Sequence, residues 1–272
     1  MTTTLLLLFA LKVLTPGEMA CVGDVQNRTI PIELYIAGME QEGMLTLATQ
    51  GQIVYLNGPK VASLKTGTVQ RVIRPEGKVH DPSTGTELGI YYRDIGTIQI
   101  EAVQREKATA RVLLSCHGLL KGDLVIPNSE KPAMEFGGDM SNALLQIPEN
   151  GLVGSIVLGK DSIRELAAGQ FCFIGLGGRD GVKTGDRFTV FRPYPKFNSI
   201  DLIAGGSGAN LTYSAGRSLG YRGKIKGLLH DRTLPQEILG DIIVVEAGDS
   251  MSTGKVINSL SVIHVGDLVV KR

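Results

Sequence analysis

Gly51-Gln52-Ile53-Val54-Tyr55-Leu56 and Gly169-Gln170-Phe171-Cys172-Phe173-Ile174 are two versions of one strand, a glycine turn leading into an apolar run. At the same offset of 118, Leu64-Lys65-Thr66-Gly67 faces Val182-Lys183-Thr184-Gly185, and Arg71-Val72-Ile73-Arg74-Pro75 faces Thr189-Val190-Phe191-Arg192-Pro193. A second block matches at an offset of 144. There Gly96-Thr97-Ile98-Gln99-Ile100 faces Gly240-Asp241-Ile242-Ile243-Val244, and Gly122-Asp123-Leu124-Val125-Ile126 faces Gly266-Asp267-Leu268-Val269-Val270. Eight of 25 positions are identical in the first block and nine of 31 in the second. The offsets differ by 26, so the second copy carries an insertion of that length. Collinear blocks that share their turn residues indicate an internal duplication.

Each copy reads as short strands. Lys65-Thr66-Gly67 supplies a tight turn in which glycine takes a positive φ. Pro75 and Pro193 are expected to end the strands that precede them, since proline cannot donate to a ladder. Ile98, Ile100 and Val103 alternate with Gln99 and Glu101, and Ala110, Val112 and Leu114 alternate likewise, the period of half-buried strands. The Gly-Asp pairs at 122–123 and 266–267 are turns into a closing strand. The fold class is therefore all-β, two tandem small β-barrel-like domains related by duplication. The expected division is an N-terminal or signal segment at 1–20, a first module at 21–127, a linker at 128–150 and a second module at 151–272, interrupted at about 196–236. Ser162-Ile163-Arg164-Glu165 has capping-box spacing and predicts two helical turns over Ser162–Ala168.

The composition bounds the function. A net charge of +1 and an aromatic content of 5% without Trp argue against nucleic acid, which requires a basic face and stacking residues. The 35 glycines suit turns joining many strands. Leu5–Val13 is too short to span a bilayer as a helix, so no transmembrane span is expected. It has the length of a signal-peptide core, although no Lys or Arg precedes it and Glu18 sits where a small residue is wanted. Export is the expectation, with a first buried strand or a fragmentary start as the alternatives.

No catalytic, cofactor or metal site is read from the residues, and the chain is not expected to be an enzyme. His80 and Asp81 begin a turn, His80-Asp81-Pro82-Ser83-Thr84-Gly85, with no third orienting group. Gly175-Leu176-Gly177-Gly178-Arg179-Asp180-Gly181 lacks the following helix that a phosphate cradle needs. His80, His117, His230 and His264 have no metal-ligand spacing, and Gly205-Gly206-Ser207-Gly208 is a loop, not a nucleophile elbow. Cys172 replaces Val54 in the repeat and should face a strand interior. In an exported chain Cys21 and Cys116 are the natural pair, and closing so long a loop is worth roughly 4–5 kcal/mol. In a reducing compartment all three cysteines stay thiols.

Asp81-Pro82-Ser83-Thr84-Gly85-Thr86-Glu87-Leu88-Gly89, with Ile95-Gly96-Thr97-Ile98 and Gly122-Asp123 following in order, resembles the C-terminal domain of flagellar assembly protein T. The motif positions are Asp81, Pro82, Thr84, Gly85, Leu88 and Gly89. The stretch is still more similar to uncharacterised bacterial cell-envelope proteins that carry such modules behind a lysin-motif (LysM) peptidoglycan-binding domain. In those a Cys precedes the module and a Ser-Cys like Ser115-Cys116 lies near its end. The resemblance covers about residues 15–127, and reaches 151–272 only through the duplication. It implies a non-catalytic module outside the inner membrane with a structural or adaptor role, and it favours export and a Cys21–Cys116 bridge. No lysin motif is found in the chain, so peptidoglycan binding does not carry over.

The leading expectation is thus a periplasmic or secreted scaffold whose partner is an envelope protein or the cell wall. The loop Leu202–Arg222 is its expected specific surface. The alternatives are a cell-wall hydrolase with a site between the modules and a structural subunit of a homo-oligomeric ring.

Overall fold

The structure, a computed structural model, describes residues 12–40, 43, 46–82, 84–129, 134–136, 147, 151–193 and 236–272. It is built almost wholly of antiparallel strands. The chain runs through β1 (Lys12–Leu14), the single helical turn α1 (Pro16–Met19), β2 (Asp24–Gln26), β3 (Tyr35–Met39), β4 (Ile53–Asn57), β5 (Val69–His80), β6 (Glu87–Val103), β7 (Ala108–Ser115), β8 (Leu124–Pro127) and β9 (Met134–Phe136). It continues through β10 (Val153–Gly159), β11 (Glu165–Leu166), β12 (Phe171–Ile174), β13 (Arg187–Arg192), β14 (Glu237–Ala247), β15 (Ser252–Ser259), β16 (Ile263–His264) and β17 (Leu268–Lys271). The signal-peptide expectation for 1–20 falls largely outside the described residues, but Leu14 and Met19 are buried. The expected insertion and its Leu202–Arg222 loop also lie outside them.

Two compact units result, 1–78 with 89–138, and 79–88 with 139–272. In the first, the strand order is β2-β6-β5-β8-β3-β4-β7, and β6 also pairs with β7, which returns the sheet on itself. In the second, a closed barrel has the order β10-β12-β15-β14-β13-β17. Read from β6 and from β14, the two rings follow the same plan: β5 answers to β13, β8 to β17, β3 to β10, β4 to β12 and β7 to β15.

The agreement extends to irregularities. The β6–β7 ladder shifts register between Thr97 and Ile98 and between Ile100 and Ala102. The β14–β15 ladder shifts between Asp241 and Ile242 and between Val244 and Glu246, each 144 positions later. Such bulges bend a strand and raise its twist, which a small barrel needs to close. They also explain the broken alternation at Ile98, Ile100 and Val103, because the extra residue returns Val103 to the core side. The Cβ of any residue replacing Gly96 would overlap the Leu114 carbonyl oxygen, and at Gly240 it would overlap that of Asn258. At these two positions the strands lie too close for a side chain.

Inward residues fill each barrel in register. Val54, Leu56, Val72, Ile98 and Val112 are buried in the first unit, as Cys172, Ile174, Val190, Ile242 and Val256 are in the second. Each large side chain of this kind removed from water is worth about 1.5–3 kcal/mol. A second, smaller cluster lies outside each barrel wall. Ile73, Tyr92 and Leu124 pack with Ile30, Ile90 and Ile126, while Phe191, Leu268 and Val270 pack with Ile147 and Val153. In both cases the covering isoleucine, Ile30 or Ile147, precedes the first strand of its own barrel.

Two expectations fail. Ser162–Ala168 is not helical: a single 3-10 turn, Lys160–Ser162, leads through extended Ile163 into β11. There Leu166 pairs with Ile263 and is buried, so tertiary pairing overrides the capping-box spacing. Pro75 does not end β5, which runs on to His80. The β5–β8 ladder stops at Ile73, so the missing Pro75 N–H costs no bond to β8. The linker 128–150 also contains a strand, β9, which pairs with β1.

Candidate functional site

The long edge of β6 is shared by two strands. β7 covers it from Val103 to Gly96, where the ladder ends opposite Ser115. Cys116 and His117 then donate their backbone N–H groups to the Ile95 carbonyl, and the chain turns away. The same edge is taken up by β2, which pairs Asp24 with Tyr92, Val25 with Tyr91 and Gln26 with Ile90. Since β2 and β7 both run antiparallel to β6, β2 is the collinear continuation of β7. A disulfide between Cys21 and Cys116 joins the end of one to the beginning of the other, with Cα atoms 5.6 Å apart. The residues Ala20–Gln26 thus form a strap bound to the arm of the β5–β6 hairpin.

Beneath the strap lies a charged cluster. The Arg71 guanidinium pairs with Asp94 through Nε and with Asp24 through Nη1, at 3.1 Å to Asp24. The Gly23 N–H donates to Asp94 Oδ2 at 2.7 Å, and the Tyr91 hydroxyl donates to the Val22 carbonyl at 3.3 Å. Asp94 and Val22 are wholly buried, and Arg71 is nearly so. Burial works against the charge on Arg71, but the two carboxylates outweigh it and hold its pKa above the ordinary value. Arg71 Nη2 and Asp24 Oδ1 are buried without a hydrogen-bond partner.

The strap lies so close to β6 that side chains are excluded on both strands. At Gly23 (φ +80°) a Cβ would stand 2.6 Å from the Tyr92 carbonyl oxygen, and at Gly89 (φ +150°) one would stand 2.5 Å from that of Gln26. Gly89 therefore explains one position of the sequence motif. The rest of the motif builds the hairpin tip. Asp81 Oδ1 accepts from the Thr84 N–H at 3.1 Å, the Gly85 N–H donates to the Asp81 carbonyl at 2.8 Å, and Asp81 N–H donates to the Thr86 carbonyl at 2.9 Å. Pro82 and Thr84 are exposed, Gly85 takes φ +73°, and Leu88 is half-buried where β6 begins. This is turn chemistry, and the tip, Val79–Leu88, groups with the second unit.

The remaining sequence candidates are spread apart. Gly175–Gly181 forms a 3-10 turn at Gly178–Asp180, in which the Gly177 N–H donates to Asp180 Oδ2 at 2.9 Å. Cys172 is buried in the second core, and burial pushes its thiol up to about 12. His80 ends β5, His117 follows β7 and His264 ends β16, where Arg192 Nη2 lies 2.8 Å from its Nδ1. His230 and Ser207 lie outside the described residues. Among the described residues no group of three or more His, Cys, Asp or Glu is arranged to hold a metal ion. Nor is any helix among them long and apolar enough to cross a membrane.

Sequence reading missed two charge arrangements. One is the Arg71–Asp24–Asp94 cluster. The other is a clasp present in both units, Arg74 on Asp123 and Arg192 on Asp267. Its signal was available, since both residues are identical at the two offsets. No protein-family model matches the chain, and no curated protein matches it.

Proposed function

We propose that the chain is a non-catalytic scaffold or adaptor of the bacterial cell envelope, periplasmic or secreted, whose two β units present loops to an envelope protein or the cell wall. The observation that carries this reading is the Cys21–Cys116 bridge. Bridges form and persist in oxidising compartments, whereas cytosolic thiols are kept reduced. A bridge of this kind, its ends 95 positions apart in sequence, constrains the unfolded chain strongly. Rigid barrels with short connections also suit a role in which loops recognise and the scaffold holds them. The resemblance of the Asp81–Gly89 stretch to envelope modules adds to this reading.

The test is fractionation of cells expressing the full chain, followed by alkylation of the denatured protein before and after reduction. One reactive thiol before reduction and three after, in protein from the periplasm or medium, is the expected result. Three free thiols in a cytosolic fraction would overturn the proposal. Co-sedimentation with purified peptidoglycan, and cross-linking in intact cells, then separate a cell-wall partner from a protein one.

We further infer that the two units descend from one internal duplication. The shared ring order, the bulges displaced by 144 positions and the repeated clasp support it. Experimental coordinates of the two units should superpose with Gly96 on Gly240 and Gly122 on Gly266. Superposition in any other register would refute common descent.

A further inference from the structure

We propose that the Cys21–Cys116 bridge is a redox latch, whose reduction releases the Ala20–Gln26 strap from the edge of β6 without unfolding the barrel. The first ground is position. The bridge lies at the junction where β7 leaves the β6 edge and β2 takes it up, so it joins the strap to the barrel and lies outside the ring of strands itself. The barrel closes through the β6–β7 pairing, in which no strap residue takes part.

The second ground is what the strap covers. Next to the apolar anchor Val22 it covers charge: the buried Arg71 and Asp94, with its own half-buried Asp24. Taking charged groups out of water opposes docking, and mutual attraction repays that cost only where every donor and acceptor is satisfied. Here Arg71 Nη2 and Asp24 Oδ1 are buried without partners, so water competes for exactly these groups once the strap is free to move. The strand itself is short, with three residues in register on β6. Such a contact gains from being held at high effective concentration, and the bridge ties its N-terminal end to the end of β7.

The third ground is access. Cys21 and Cys116 are both partly exposed, whereas Cys172 is fully buried. A dithiol reductant attacks one sulfur of the bridge, and its second thiol resolves the mixed disulfide. The bridge takes up two electrons and two protons to become two cysteine thiols, and the reductant becomes its own cyclic disulfide. Released, the strap uncovers the edge of β6 at Ile90–Tyr92 and the Arg71–Asp94 pair, and the hairpin arm loses its backing strand.

Hydrogen exchange on the full chain, with and without dithiothreitol, tests this. Reduction is expected to speed exchange by about tenfold or more in 20–26 and 89–92, while 96–103, 108–115 and 153–159 keep their protection. A double variant, Cys21→Ser with Cys116→Ser, should show the reduced pattern without reductant and be insensitive to it. Unchanged exchange in 20–26 and 89–92 would mean that the strap stays docked, and overturns the latch. Loss of protection throughout 96–103 and 108–115 would make the bridge a staple of the whole unit, and overturns it equally.

Discussion

Arg74 holds Asp123 in a two-pronged grip, Nε to Oδ1 at 2.7 Å and Nη2 to Oδ2 at 2.8 Å. Arg192 holds Asp267 in the same way, at 2.8 and 2.6 Å. In each unit the second guanidinium nitrogen also reaches a backbone carbonyl, Gly118 or Val262, and the carboxylate accepts a backbone N–H, from Leu120 or His264. The aspartate of the Gly-Asp turn is thus more than a bend. It ties the entry of the closing strand to the strand beside it.

Asp123 is 3% exposed and Arg74 26%, so removal of the carboxylate strands a partly buried cation and a backbone donor. Asp123→Ala should destabilise the first unit by about 3 kcal/mol, and Asp267→Ala the second by a similar amount. Asp249→Ala, which breaks a pair exposed at 58% and 66%, should cost less than about 1 kcal/mol. Urea denaturation followed by unit-resolved hydrogen exchange measures all three. Equal costs at Asp123 and Asp249 would show that the grip has no special weight.

Gly96→Ala and Gly240→Ala should each destabilise by about 3 kcal/mol or more, because the new methyl meets a backbone carbonyl of the neighbouring strand. Gly122→Ala meets no atom within 4 Å but must hold φ at +94°, so its cost should be smaller, about 1–2 kcal/mol. Thermal melts of the three variants provide the comparison, and a reversed order would refute the close-approach account.

The legibility of this fold in sequence follows the repeated blocks. Turn glycines and inward apolar residues recur at fixed offsets, so strands and turns were readable around Gly51, Gly96 and Gly122, whereas the order of strands around each ring was not. The strap was not. Asp24, Arg71 and Asp94 are ordinary surface residue types, and their counterparts in the second copy, such as Thr189 and Ile238, carry no charge. Repetition therefore pointed away from them. Ser162–Glu165 misled for a different reason: its spacing favours a helix locally, but burial of Leu166 against Ile263 decides the backbone.

Cys172 should resist iodoacetamide in the folded protein at pH 8, since burial pushes the thiol up to about 12 and leaves little thiolate. Unfolding in guanidinium should restore ordinary reactivity. Peptide mass mapping after timed alkylation reads the result, and rapid native labelling would show that the second barrel opens readily.

Partial burial pushes the Asp186 carboxyl up, but the Lys271 ammonium and the Lys183 N–H, at 2.6 and 2.7 Å, together hold it below the ordinary carboxylate value. A lowered folded pKa adds stability that is complete above the unfolded value and is lost as pH falls through the folded one. Asp241 acts in the opposite sense: burial raises its pKa despite Arg272 and Arg187, so its ionisation costs stability as pH rises through the folded value. Asp186→Asn should therefore flatten acid destabilisation of the second unit, and Asp241→Asn should not. Melting temperature between pH 3 and pH 6 distinguishes the two variants.

The covering isoleucines set an order of events during synthesis. Ile30 and Ile147 leave the ribosome before any strand of the barrel they serve, and Leu124 and Leu268, members of the clusters they pack against, emerge near the end of each module. The lid of each outer cluster must wait, apolar and unsheltered, until its seat has been translated. Nascent chains halted just before Leu124 or Leu268 are the ones that would most need a chaperone, and a pause in translation there would be the most hazardous.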